Sequence, residues 1–324
     1  LADIVKRNNL STYVSEAIKE RSAFIKSGAV VRNALLDATE GGTRIQVPEF
    51  NPITPTEEIL DGTATWGTSN SGHLTPQKIG TDTQIATICH RGFAYAVDDV
   101  AVLAAGEDPM GHIRNQIADA INKLNSARLF SLLDGLFASG SGPLGANLLD
   151  VAKAGTSAVE ANFLTASTVA RGRSLLGSRG DELDTLVVHP SVAYYLYQVG
   201  MLTFSTSALS TGGAVTWGGG GVGVNETSIG QFAGMNVVID SQVNTVAPGS
   251  SGHQTEFRCF LIKSGTILEG EQSPLGIESD RNILSKQDVM SVDYHSAYHV
   301  MGTKWTSATD NPTNAQLGNS NNWG

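Results

Sequence analysis

Gly218, Gly220 and Gly223 satisfy the G-x-G-x-x-G spacing with which a glycine turn cradles a pyrophosphate, and Asp240 stands near the distance of a ribose-binding acid. That chemistry needs a tight strand-turn-helix unit. Here four glycines run together, and Gly230 and Gly234 interrupt the helix that should follow. The stretch from Gly212 to Gly223 reads instead as a surface loop. His295 and His299, with Asp293 nearby, have the spacing of helical metal ligands. They fall, however, in an alternating segment from Val289 to Val300, and on a strand two such side chains stand roughly 13 Å apart, too far to share an ion. The acidic pairs Glu57-Glu58, Asp98-Asp99 and Asp181-Glu182 point neighbouring carboxylates in divergent directions, which suits solvation better than acid-base work. The remaining histidines, His73, His90, His112, His189 and His253, read as surface or hydrogen-bonded groups, although a histidine at a subunit contact would make association pH-sensitive. With no P-loop, HExxH or GxSxG pattern, the sequence assigns no catalytic, cofactor-binding or metal residue and implies no cofactor.

The composition of the 324-residue chain narrows the classes further. Hydrophobic residues make up 40%, enough for a core, but charged residues only 16%. A lone soluble domain carries about 25% charged residues, so the depletion points to surface that is covered by other chains. The net charge of -10, with no basic run, argues against tight nucleic-acid reading. Cys89 and Cys259 lack CxxC spacing and read as buried thiols of a reducing compartment rather than a disulfide or zinc site. No apolar run approaches the length of a membrane span and no signal-peptide pattern occurs. Leu1 stands where a methionine would start a chain, as after cleavage of a precursor or omission of earlier residues.

The elements that would position these groups begin with an amphipathic helix ending at Gly28, then an extended Val30-Val31. Gly41-Gly42 turns into a strand from Arg44 to Val47 that stops at Pro48. A polar stretch with Pro52, Pro55 and Pro76 runs to about Thr83, and a period-two run from Ile85 to Val97 returns to pair with the first strand as a two-stranded projection. Such a ribbon is marginal alone, so it should lie on a neighbouring subunit. From about Glu107 to Phe137 the chain spells one long helix. Asp108 caps it, Pro109 opens it, and Ile113, Ile117, Ile121, Leu124, Leu132 and Leu136, with Ala120, Leu129, Leu133 and Phe137, form its apolar face. Gly135 is a blemish near its end. Mixed α/β structure follows: a helix from Thr165 to Leu176, a buried strand at Leu186-Val187-Val188, a helix from Ser191 to Val199, and strands at Met235 to Ile239, Phe257 to Ile262 and Val289 to Val300. The Asn-rich tail after Thr306 is expected to be extended.

Taken in order, these marks resemble the major capsid proteins of tailed bacteriophages, built on the Hong Kong ninety-seven coat fold. The resemblance rests on Gly41-Gly42 with the strand to Val47-Pro48, Leu60-Asp61-Gly62, Asp98-Asp99-Val100, and Gly106-Glu107-Asp108-Pro109-Met110 opening the long helix. It continues through Val187-Val188-His189-Pro190, Gly234-Met235-Asn236-Val237-Val238-Ile239-Asp240, and Glu278-Ser279-Asp280-Arg281-Asn282, covering roughly Gly28 to Trp305.

The resemblance implies an α+β coat fold divided into an N-terminal arm (1–44), an extended E-loop ribbon (45–98), a peripheral domain with the spine helix (99–185), an axial domain (186–254), return strands (255–306) and a C-terminal tail (307–324). It implies a structural protein rather than an enzyme, with itself as chief partner: pentamers and hexamers closing into an icosahedral shell around double-stranded DNA. A portal protein, and in some members a scaffold, a maturation protease and a cement protein, are the further partners it implies. The place of action would be the virion capsid, assembled in the host bacterial cytoplasm. Some members crosslink a loop lysine to a neighbour's asparagine; Lys78 is the lysine of this loop and no asparagine partner is identifiable, so no crosslink is expected. An encapsulin-like nanocompartment shell would share the fold, and an α/β enzyme and a phage tail or decoration protein are the remaining alternatives.

Overall fold

The computed structural model describes residues 27–37, 42–51, 53–57, 76–99, 109–151, 162–201, 228–246 and 255–324. Residues 58–75 within the expected E-loop ribbon (45–98), the glycine run 212–223 and the first 26 residues lie outside the described residues.

Strands β1 (Val30–Arg32), β2 (Arg44–Phe50) and β3 (Thr81–Asp98) precede helix α1 (Pro109–Leu136), helix α2 (Ala166–Ser174), strand β4 (Thr185–Val188) and helix α3 (Pro190–Gln198). Then follow β5 (Ser228–Phe232), β6 (Met235–Ile239), β7 (Thr245–Val246), β8 (Glu256–Phe257), β9 (Phe260–Ile262), β10 (Ile267–Asn282), β11 (Gln287–Val300) and a short helix α4 (Asn314–Leu317). They form a five-stranded sheet ordered β1-β10-β11-β3-β2, a four-stranded sheet ordered β5-β6-β4-β9 and a small β7-β8 pair.

Helix α1 begins at Pro109, where the missing N–H costs nothing. Its 28 residues span about 42 Å at the usual rise. Its first half lays Ile117 and Ile121 against Ile277, Met290, Val292 and Tyr294 of β10 and β11. Its second half places Leu129, Phe130, Leu133 and Leu136 in a core shared with Val187 of β4, Val238 of β6, and Phe260 and Ile262 of β9. One helix therefore packs on both sheets and fixes their relation. Leu124, expected on the apolar face, is exposed, whereas the unexpected Arg128 is buried.

Several boundaries differ from the sequence reading. The first strand passes through Pro48 to Phe50, because β2 is an edge strand and tolerates a missing donor. The expected ribbon is the corner of a larger sheet: β3 pairs with β2 over Thr81 to Thr87, and with β11 over Ile88 to Asp98. Strand β10 was hidden by Pro274 and the glycines at 270 and 276, and its register shifts against β11 twice between Glu271 and Gly276. The segment Phe257 to Ile262 divides between two sheets.

The polar tail is ordered rather than extended. Thr313 and Gln316 form a reciprocal capping box on α4. Trp305 and Trp323 meet edge to face at 5.0 Å, and the Trp323 indole N–H donates to the Leu317 carbonyl at 2.7 Å. Two aromatic anchors hold what the composition alone would leave loose. Upstream, the Arg91 guanidinium donates to Asn311 Oδ1 at 2.6 Å and to the Pro312 carbonyl, strapping the tail across β3.

Candidate functional site

The residues singled out for chemistry do not converge. His295 faces His90 across the β11–β3 ladder, their rings stacked with centroids 4.2 Å apart. His299 is 0% exposed. Its Nε2 lies 2.7 Å from Gln84 Oε1, while the Gln84 amide N–H donates to the Glu49 carboxylate. That relay makes Gln84 Oε1 the acceptor, so His299 donates from Nε2, and burial holds its pKa down at about 4. Asp293 lies against the backbone of Gly276, on the other strand of the hairpin. Among the described residues no three His, Cys, Asp or Glu side chains are grouped to hold a metal ion.

The acidic pairs are also separated. Asp99 pairs with Arg281 at 2.5 Å and Glu182 with Lys263 at 2.5 Å, both at the surface. Glu57 and Asp98 are exposed, and Glu58 lies outside the described residues. Asp240 caps the Gln242 N–H at 2.8 Å at the end of β6, and burial raises its carboxyl pKa despite that bond. His189 caps α3 by accepting from the Ser191 N–H at 3.2 Å. His73 and His253 lie outside the described residues, as does the side chain of His112. Burial pushes the Cys259 thiol up to about 12 and raises Cys89 as well. Both thiols are free, and burial opposes the thiolate a nucleophile would need.

A shallow cleft of about 460 Å³ lies beside the end of α1, lined by Ser131, Asp134, Ser139, Asn244, Arg258 and Asn314 among others. Asp134 accepts there from both Asn244 and Arg258. Its carboxylate is engaged in tying α1 to the β7-β8 pair, which is a structural task.

What the molecule does present is unpaired backbone and exposed apolar side chains. Among the described residues, no strand pairs with the outer edge of β2 in the five-stranded sheet, and β10 is covered by β1 only from Ile267 to Glu269. Phe50 at the end of β2 is 74% exposed, with Ile53 and Ile79 also exposed. A second apolar pair, Ile283 and Leu284, tops the β10–β11 turn, and Tyr194 stands out from α3. Open edges and apolar knobs are means of binding other chains, by strand addition and burial. The sequence reading missed the Ile283-Leu284 pair; the available signal was two large apolar residues in the turn between two strands. The glycine run at 218–223 lies outside the described residues.

Exposed strand edges and apolar knobs are the surface chemistry of a protein that assembles. The family model for phage capsid protein matches residues 81–311, from β3 through α1 to β11, and the chain belongs to that family. The major capsid protein of Bacillus phage SPP1 is 24% identical over 333 positions, covering 100% of this chain and 92% of that one. Among solved structures, the capsid of Ralstonia phage GP4 superposes with a TM-score of 0.59 at 12% identity, over 87% of each chain. The structure from Mycobacterium phage Cain gives 0.53 at 13% identity, over 90% of this chain and 87% of that one. At these identities the structural likeness establishes the shared fold, the Hong Kong ninety-seven coat fold of phage capsids. Among the described residues no helix is long and apolar enough to cross a membrane.

Proposed function

We infer that the chain is a major capsid protein whose many copies close as pentamers and hexamers into an icosahedral shell around double-stranded DNA. The observation that carries this reading is the capsid-family match across residues 81–311, in a molecule whose exposed chemistry is strand edge and apolar knob. On this reading the β2–β3 corner roots the E-loop ribbon (45–98), α1 is the spine of the peripheral domain (99–185), and the sheet around β4 belongs to the axial domain (186–254). Residues 1–44 act as the arm, 255–306 return from the axial to the peripheral domain, and 307–324 are the tail.

Many modest contacts then act together, since each subunit is held at several edges at once. The net charge of -10 limits adhesion of DNA to the wall and fits a container that does not read sequence. A portal protein at one vertex is part of this proposal, with scaffold, maturation protease and cement protein as partners where the shell uses them. Assembly takes place in the host bacterial cytoplasm and the product is the virion. No catalytic step is assigned to the chain.

Electron cryomicroscopy of the particles formed by the chain, read together with their nucleic-acid content, tests the proposal. Closed icosahedral shells able to hold DNA are expected. DNA-free shells filled with protein cargo would turn the reading to a nanocompartment, and stable monomers would overturn it.

A further inference from the structure

We propose that segment 304–312, which follows β11, is a splint that fixes the angle at which β2 and β3 leave the body of the molecule, and through that angle the curvature of the shell. The inference rests on the shell-forming function proposed above and names the part of the chain that sets its geometry.

Strand β3 changes partner at one point, pairing with β2 from Thr81 to Thr87 and with β11 from Ile88 to Ala297's opposite neighbours up to Asp98. A two-stranded ribbon is marginal without further support. Segment 304–312 grips β3 on both sides of the change. Before it, the Ile85 carbonyl accepts the Trp305 N–H at 3.0 Å, and Lys304 pairs with Asp82 at 3.5 Å. After it, Asn311 Oδ1 accepts from the His90 N–H at 3.0 Å and from the Arg91 guanidinium at 2.6 Å. The partner strand is tied as well, since Arg44 of β2 meets Asp310 at 2.9 Å.

A splint must be stiff and anchored. Within the segment the Trp305 indole N–H donates to the Thr309 carbonyl at 3.2 Å, and Ser307 Oγ accepts the Thr309 N–H at 3.2 Å. Asn311 takes a φ of 51°, which asparagine tolerates better than most residues. Lys304 exchanges both backbone bonds with Gly324 at 2.8 Å. Trp305 is buried against Trp323, whose indole bonds Leu317 beside the end of α1. The direction of β2 and β3 is thereby referred to α1. The Arg44–Asp310 and Lys304–Asp82 pairs lie at the surface, where ion pairs add little stability. What they restrict is orientation. With the ribbon lying on the next copy, its angle sets the rotation between copies, and that rotation decides whether a head-to-tail contact closes.

The test unties the segment and then reties it. Asp310→Arg sets two guanidinium groups against each other and should speed hydrogen exchange of the β2 amides, from Arg44 to Phe50, at least threefold in the unassembled chain. The amides of Leu317 and Trp323 should keep their rates. Particles assembled from this variant should spread over several diameters or stay open, where the wild-type chain gives one size. Adding Arg44→Asp to Asp310→Arg restores the pair with its charges exchanged and should return both readouts to the wild-type result. Unchanged β2 exchange in Asp310→Arg, or a change that Arg44→Asp does not reverse, would overturn the splint. Faster exchange with shells of wild-type diameter would overturn its control of curvature. Should Leu317 and Trp323 also exchange faster in Asp310→Arg, the reversal by Arg44→Asp decides. Failure of the wild-type chain to form shells at all would count against the shell-forming function instead, and the exchange rates would still decide the splint.

Discussion

His299 places a titratable ring among β2, β3 and β11 with no solvent contact, its Nε2 bonded to Gln84 and Gln84 to Glu49. Burial lowers its pKa from 6.5 to about 4, with the Glu49 carboxylate opposing weakly. Between these values the unfolded chain binds a proton that the native molecule refuses. Stability is therefore complete above roughly pH 6.5 and declines as pH falls toward 4, by about 3 kcal/mol across the full window. Urea titrations of the unassembled chain at pH 7.5 and 4.5 should show this loss. His299→Gln, which keeps an N–H for Gln84 Oε1, should flatten that part of the profile. An unchanged slope in the variant would place the pH dependence elsewhere.

At the scale of elements, the end of α1 and the C-terminal tail stabilise one another. A Cβ at Gly135 would lie 2.2 Å from the Leu317 carbonyl oxygen and 2.8 Å from the Trp323 indole nitrogen. The glycine that interrupts the helical pattern is the notch into which the tail fits. Gly135→Ala gains about 1 kcal/mol of helix propensity, but it meets a backbone carbonyl that cannot step aside, at a cost of about 1–3 kcal/mol. The net expectation is destabilisation, read as a lower melting temperature. Trp323→Ala, which empties the same seat, should cost about 3–5 kcal/mol. If Gly135→Ala raised the melting temperature, the tail would not be docked there.

At the scale of the whole molecule, the five-stranded sheet is incomplete at both edges among the described residues, and the family to which the chain belongs is that of phage capsid proteins. Hydrogen exchange offers a direct comparison. Amides of β2 from Arg44 to Phe50, and of β10 beyond Glu271, should exchange at least tenfold more slowly in assembled particles than in the free chain. The interior amides of β4, Thr185 to Val187, are already paired on both sides and should change little. Equal rates along β2 and β10 in both states would show that the open edges are not where copies meet.

By itself, the sequence determined the features written within a short window of residues. The 3.6-residue spacing from Ile117 to Leu136 and the proline at 109 specify α1. Alternation specifies most of β3 and β11, and the order of local motifs points to the coat fold. Strand spacing argued against His295 and His299 as a metal pair, and both lie in β11. Tertiary structure decided what depends on residues far apart in the chain. It set the bulged register of β10 against β11, the third strand beside the expected ribbon, and the burial of Arg128 against Tyr294 and Ser296. It turned the Asn-rich tail into a clasp, because Trp305 and Trp323 find each other and the notch at Gly135 only after the chain has folded back on α1. Local patterns encode which element forms. Which of its faces is covered depends on long-range packing, and in a shell protein part of that packing belongs to the next copy of the chain.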